Sequence, residues 1–187
     1  MKMYDDDYEK RGFLENVTEQ LPNSPRLIML IGMPCTGKST MANRLRATYT
    51  DYILISSDVI IEERAAAEGK NYNEVFASNI AEANRIVMDV AKLAVAEKKS
   101  VIWDQTNLSY FSRKNKLKLF TEDYFKMAYV FYPPENNEDY YKALANRPGK
   151  IIPAHAIGEM RKVFSPPAYP EFDAIMNVEW KKDFEDA

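Results

Sequence analysis

The sequence predicts an α/β domain with a parallel sheet of about five strands flanked by helices. Three observations predict it. Short aliphatic runs alternate with helix-period segments along the chain, the pattern of repeated strand-helix units. Those runs are apolar throughout and not alternating, as strands covered on both faces are. The 187 residues, 46% of them hydrophobic, suffice for one sizeable core and fall short of two typical domains.

Residues 1–25 read as an acidic N-terminal extension and 26–187 as the folded domain. Within the extension, Phe13, Leu14, Val17 and Leu21 stand at helical spacing before "PNSP" ends the pattern. Leu27–Ile31 is a short aliphatic run closed by glycine, hence a buried strand. A helix is expected over 38–48, a strand over Asp51–Ser56 and a helix over Asp58–Glu68. Between Asn73 and Lys98, the residues Phe76, Ile80, Ala83, Val87, Val90 and Ala94 recur in steps of four and three, one buried stripe of a long helix. "SVIWD" (Ser100–Asp104) is the third strand, Ser109–Phe120 a basic amphipathic helix and "KMAYVFY" (Lys126–Tyr132) the fourth strand. A helix over Glu135–Asn146, a helix ending near Phe164 and a strand near Ala174–Val178 complete the chain.

Charge narrows the function classes. Lys plus Arg is 25 and Asp plus Glu 28, a net charge of −3, which lacks the basic excess that grips long duplexes by bulk electrostatics. Residues 1–24 hold three bases and six acids, so the remaining chain is neutral. The single cysteine, Cys35, forbids an internal disulfide, and no apolar run reaches the roughly 18 residues of a membrane span. With no secretory h-region, the chain reads as cytoplasmic. Composition does not specify an oligomeric state.

The most informative stretch is "GMPCTGKST", between an expected strand and an expected helix. It matches G-x-x-x-x-G-K-[ST], a phosphate-binding loop in the context that motif needs. The candidate nucleotide-binding residues are Gly32, Met33, Pro34, Cys35, Thr36, Gly37, Lys38, Ser39 and Thr40. Gly32 and Gly37 let backbone N–H groups converge on phosphate oxygens, and the helix start adds unpaired donors. Lys38 reaches the β- and γ-phosphates and Ser39 ligates Mg²⁺.

Geometry brings other side chains to the same edge. Eleven helical residues carry the chain about 16 Å away and five strand residues bring it back, so Asp58 lands beside the loop. A carboxylate there suits a general base on an acceptor hydroxyl; the alternative is a helix cap by Ser57 or Asp58. Asp104 ends the third strand after three apolar residues, in the manner of an acid that holds Mg²⁺, with a turn aspartate as alternative. Thr106 and Asn107 follow near a helix start, for substrate positioning or capping. In "NRPGK", Arg147 and Lys150 suit a lid over the donor, with Arg147 stabilising the transferring phosphoryl. The bases Arg113, Lys114, Lys116 and Lys118 read as a solvated helix face, as do Arg161 and Lys162, or together as a track for a short phosphate backbone. His155 stands alone and reads as structural.

Taken together, GMPCTGKS, the strand-end ISSD, VIWDQTNLS and NRPGKIIPAHAIGEM resemble the kinase domain of bacteriophage polynucleotide kinase and its zeta-toxin-like P-loop relatives. The resemblance runs from about Arg26 to Phe164. It implies a P-loop kinase fold with a lid, ATP as donor, and donor phosphates and Mg²⁺ bound by Lys38 and Ser39. It further implies activation of a 5′-hydroxyl by Asp58 and stabilisation of the phosphoryl group by Arg147. Two departures stand out. The phage enzyme has an arginine three residues after its catalytic aspartate, where this chain has Ile61; Arg64 is the candidate replacement for gripping the substrate. Gln105 also intervenes between Asp104 and Thr106, a form resembling the kinase-like domain of heterogeneous nuclear ribonucleoprotein U. The expected acceptors are therefore short single-stranded nucleic-acid 5′ ends, with a nucleoside, modified nucleobase or other small hydroxyl compound as alternative, and an ATP-binding module without turnover as a third reading.

Overall fold

The computed structural model of the chain describes residues 24–132, 138–147 and 149–179. The helix expected within residues 1–21 lies outside them. In chain order the elements are β1 (Arg26–Gly32), α1 (Lys38–Thr48), β2 (Ile53–Ile55), α2 (Ser57–Glu68), α3 (Tyr72–Ala96) and β3 (Val101–Asp104). Then follow α4 (Tyr110–Leu117), β4 (Phe125–Phe131), α5 (Glu138–Ala145), α6 (Ala154–Val163) and β5 (Ala174–Val178). The five strands form one parallel sheet in the order β2-β3-β1-β4-β5. The α/β architecture expected from alternation is the one observed.

β1 sits at the centre, with Leu30 paired to Asp104 on one side and Tyr129 on the other. Its side chains point alternately to the two faces. Leu27, Met29 and Ile31 join Trp103 and the α3 residues Val87, Ala91 and Ala94, whereas Ile28 and Leu30 join Ile102 and the α1 residues Ala42 and Leu45. Both faces are covered, which is why the run is apolar without alternation.

α3 is 25 residues long, about 37 Å, against strands of at most seven residues. Its start is fixed by a capping box: the Asn71 side chain accepts from the Glu74 N–H and the Glu74 carboxylate from the Asn71 N–H. The second half packs on the sheet. The first half reaches past it and forms a separate cluster with α2, in which Ile61, Ala65, Val75 and Ala83 are buried. This change of partner corrects the expected stripe at its beginning. Val75 is buried and Phe76 is 39% exposed, because the early turns face α2 and not the sheet.

The basic helix also differs from expectation. α4 is not a solvated face: Arg113 is fully buried, with Nε and Nη2 donating to the Glu171 carboxylate at 2.9 and 3.0 Å. Its Nη1 donates to the carbonyls of Asn107, Leu108 and Ser165. Lys116 turns inward to Gln105 Oε1 and Asn107 Oδ1 at 2.7 and 2.6 Å, and Lys114 and Lys118 are left exposed. Nor is the second pair uniformly solvated: Arg161 lies over the rings of Tyr140 and Tyr141. His155 is a surface residue in the first turn of α6. Among the described residues, no helix is long and apolar enough to cross a membrane.

Candidate active site

The loop between β1 and α1 is shaped by a close approach and two left-handed residues. At Gly32 an added Cβ would meet the Phe131 Cβ and carbonyl oxygen, each at 2.7 Å, and the Gly32 N–H donates to the Thr106 carbonyl at 2.9 Å. Cys35 (φ 59°) and Gly37 (φ 94°) turn the chain into α1, a concave run of backbone that suits an anion. The Thr36 hydroxyl and the Lys38 ammonium both donate to the Met33 carbonyl, at 2.8 and 2.7 Å. Burial drives the Lys38 pKa down to about 8, with the Arg147 charge adding to the effect and Asp104, Asp58 and Cys35 opposing it. Cys35 itself is held above its ordinary thiol value by burial, against the pull of Arg147 and Lys38.

Ser39 follows at the start of α1, where its hydroxyl lies close enough to Asp104, at the end of β3, to favour the ionised carboxylate. Burial raises the Asp104 pKa, against the lowering influence of Lys38 and Ser39. A hydroxyl and one carboxylate beside a phosphate-binding loop fit Mg²⁺, which keeps several waters and takes its remaining ligands from nucleotide phosphates.

Asp58 is the second residue of α2; the cap residue is Ser56, without a side-chain cap bond, so neither Ser57 nor Asp58 caps the helix. Asp58 Oδ1 accepts from the Tyr72 hydroxyl at 2.7 Å and Oδ2 from Lys150 Nζ at 2.9 Å. Lys150 Nζ also bonds Glu62 Oε1 at 2.5 Å and lies 4.4 Å from the Tyr72 ring centroid. Burial pushes the Asp58 pKa up, but Lys150, Tyr72 and Arg147 together outweigh it and hold the carboxyl below its ordinary value. Burial and the Asp58 charge push the Tyr72 phenol up in turn. The segment carrying Lys150 is tied to α3 by a paired contact: the Ile151 N–H donates to Asn73 Oδ1 at 3.0 Å and Asn73 Nδ2 to the Ile151 carbonyl at 2.8 Å.

Lys38, Ser39, Asp104, Asp58, Arg147 and Lys150 thus fall within electrostatic reach of one another. Asn107 does not join them as a substrate contact. It is 2% exposed with φ 48°, its Nδ2 donates to the Leu30 carbonyl and its Oδ1 accepts from Lys116. Its task is to lock the end of β1 to the turn after β3. Thr106 acts there through its carbonyl. Arg64 is paired with Asn79 and Glu82 between α2 and α3, and Ile61 is fully buried. Sequence reasoning missed Tyr72, Glu62, Asn73 and Gln105. Gln105 donates to Ser57 Oγ and Asn84 Oδ1 and accepts from Trp103 and Lys116, tying the end of β3 to α2 and α3. No local pattern marks these residues, since each acts across a fold-level contact.

The profile of the AAA domain family AAA_33 matches residues 27–167. The chain belongs to that family. This AAA-domain chain is similar in fold to a kinase-described structure from Chloroflexus aurantiacus J-10-fl (TM-score 0.62, 16% identity, covering 83% of this chain and 85% of that one). It is also similar to a gluconokinase from Sinorhizobium meliloti 1021 (TM-score 0.55, 13% identity, 86% of each chain). A chain of the Pnkp1/Rnl/Hen1 RNA repair complex matches with TM-score 0.56 and 24% identity over 74% of this chain, and the match spans 43% of that chain. The fold is that of P-loop kinases, which bind a nucleotide, usually with Mg²⁺.

Proposed function

We propose that this AAA-domain chain is an ATP- and Mg²⁺-dependent kinase that transfers the γ-phosphoryl group to a hydroxyl, the acceptor being the 5′-hydroxyl end of a short single-stranded DNA or RNA. The observation that carries the reading is Asp58: a carboxylate in the first turn of α2, kept ionised by Tyr72 and Lys150, at the same edge as the phosphate-binding loop. In this mechanism the loop amides, Thr40 at the α1 start and Lys38 hold the donor phosphates, and Arg147 neutralises charge on the transferring group. Asp58 takes the proton of the acceptor hydroxyl, whose oxygen bonds the γ-phosphorus as the bond to the ADP oxygen breaks. Mg²⁺, held by Ser39 and Asp104, would supply charge neutralisation between the phosphates. Lys150 belongs to the acceptor side of the site, since its ammonium contacts Asp58 and Glu62.

The buried Ile61 favours a second reading, in which the acceptor is a nucleoside, modified nucleobase or other small hydroxyl compound. Position 61 lies inside the α2–α3 cluster and offers no cation to an acceptor phosphate, and Arg64 is held by Glu82.

The test incubates the protein with Mg²⁺ and γ-labelled ATP and offers 5′-hydroxyl DNA and RNA oligonucleotides beside nucleosides and sugars. Label on an oligonucleotide supports the first reading, and label confined to a small acceptor moves the assignment to the second. In either case Asp58→Asn should retain ATP binding and lose about 10²- to 10⁴-fold in transfer, whereas Lys38→Ala should weaken both. Undiminished transfer by Asp58→Asn would remove Asp58 from the mechanism.

A further inference from the structure

On the far side of α4 from the Gln105 network lies a groove of about 610 Å³, between α4, the start of β4 and the segment 165–171. Lys114, Lys118 and Lys126 line it, together with Tyr110 and Tyr169. The acid in the lining, Glu171, is already neutralised by the buried Arg113, to which both its oxygens are bonded. Nearby Asp173 accepts from the Lys126 backbone N–H. Among the described residues, no salt bridge engages Lys114, Lys118 or Lys126. In a chain of net charge −3, three lysines against the Asp173 carboxylate leave a local excess of positive charge.

The groove also offers flat apolar surface. Tyr169 is 85% and Tyr110 40% exposed, Lys114 Nζ lies 5.5 Å from the Tyr110 ring centroid, and Pro166 and Pro170 complete the wall. Lys114 on α4 and Lys118 at its C-cap stand one helical turn apart. Lysines and exposed rings lining one groove match a ligand whose anionic groups repeat between flat ones. An acidic peptide satisfies the charges and not the regular alternation of flat groups.

We infer that this groove binds single-stranded nucleic acid, with Lys114, Lys118 and Lys126 on backbone phosphates and Tyr110 and Tyr169 stacking on bases. α4 spans about 12 Å, room for a few nucleotides. The groove begins beside Leu108 and Ser165, near the phosphate-binding edge, and ends at Lys126, at the opposite edge of the sheet. It is therefore a second contact that holds a strand to the enzyme apart from the reacting end. The inference rests on the polynucleotide reading of the active site for its purpose and not for its test.

The test measures fluorescence anisotropy of a 3′-labelled oligothymidylate of about a dozen nucleotides, without ATP or Mg²⁺, on the full chain in a Lys38→Ala background. Binding should weaken with salt, and Lys114→Gln with Lys118→Gln should lower the slope of log affinity against log salt by about 0.7 per lysine removed. Tyr169→Ala should cost about five- to a hundredfold in affinity, and an abasic strand of equal length should bind correspondingly weakly. These residues are solvent-exposed, so the variants should melt with the parent. Unchanged affinity in the lysine pair, or equal affinity for the abasic strand, overturns the inference. Binding of polyglutamate in place of the oligonucleotide, with the same lysine dependence, would assign the groove to a protein partner instead. If strands bind as described while no 5′-hydroxyl is phosphorylated in the transfer assay, the groove stands and the polynucleotide acceptor falls.

Discussion

Tyr72 is the residue whose role is most open to a clean test. Its hydroxyl donates to Asp58 Oδ1, and a bond to the ionised form stabilises that form. Tyr72→Phe removes that bond and leaves the ring beneath Lys150, so the Asp58 pKa should rise. The acid limb of the kcat/KM profile for transfer should then move to higher pH, with a plateau loss of at most about tenfold. A lost plateau with an unmoved limb would mean that Tyr72 only packs. At this scale the sequence was legible where chemistry and position coincide, as at Lys38 and Ser39 in the loop and Asp58 after its strand. It was silent on Tyr72 and Glu62, because a tyrosine and a glutamate in helical segments look like ordinary surface until α3 brings Tyr72 to Asp58 and the 149–151 segment brings Lys150 to Glu62. Asn107 illustrates the converse. A polar residue after a strand-end aspartate reads as site chemistry, and the left-handed turn that buries it is set by contacts with β1 and α4.

Among the elements, α4 departs most from its sequence reading. Helical spacing says which residues share a face and not what that face meets. Arg113 finds its carboxylate in Glu171, 58 residues away in sequence, and no helical wheel contains that partner. The ion pair is buried, with side-chain exposures of 0% and 13%, so breaking it leaves an uncompensated charge. Arg113→Met should destabilise the protein by about 3–5 kcal/mol in urea unfolding, whereas Lys114→Gln, at an exposed position, should change it by less than about 0.5 kcal/mol. Equal effects would show that the Arg113 contacts add little. The paired Arg113→Met and Glu171→Leu variant should recover much of the loss, since an apolar pair of similar volume removes both charges.

For the molecule as a whole, two internal lysines make stability depend on alkaline pH. Burial lowers both Lys38 and Lys116 to a pKa of about 8, below the ordinary value of about 10.4 that applies in the unfolded chain. Between those values the unfolded chain binds more protons than the folded one, so stability rises with pH through that window. Cys35, Tyr72 and Tyr129, whose pKa values burial raises, act the other way as pH approaches about 10. Between about pH 8 and about pH 9 the urea midpoint of the nucleotide-free parent should therefore rise relative to that of Lys116→Met, and a difference between the two that does not change with pH would contradict the assignment. The global plan was readable before the fold because both sides of the sheet are covered and the central strand β1 is consequently apolar over Leu27–Ile31. The order β2-β3-β1-β4-β5 was not, since pairing depends on contacts between segments far apart along the chain.

The contact between Lys150 and Asp58 has a consequence for fidelity. A phosphotransferase whose base is uncovered while its donor is loaded will also activate water, and the nucleotide is then hydrolysed to no purpose. Here an ammonium stands where an acceptor hydroxyl would donate its proton, and Glu62 is placed to receive that ammonium when an acceptor displaces it. Under the kinase reading, the arrangement makes turnover conditional on the acceptor's arrival. Lys150→Met should accordingly raise acceptor-independent release of inorganic phosphate from ATP relative to transfer, and a ratio equal to that of the parent would show that water is kept out by other means.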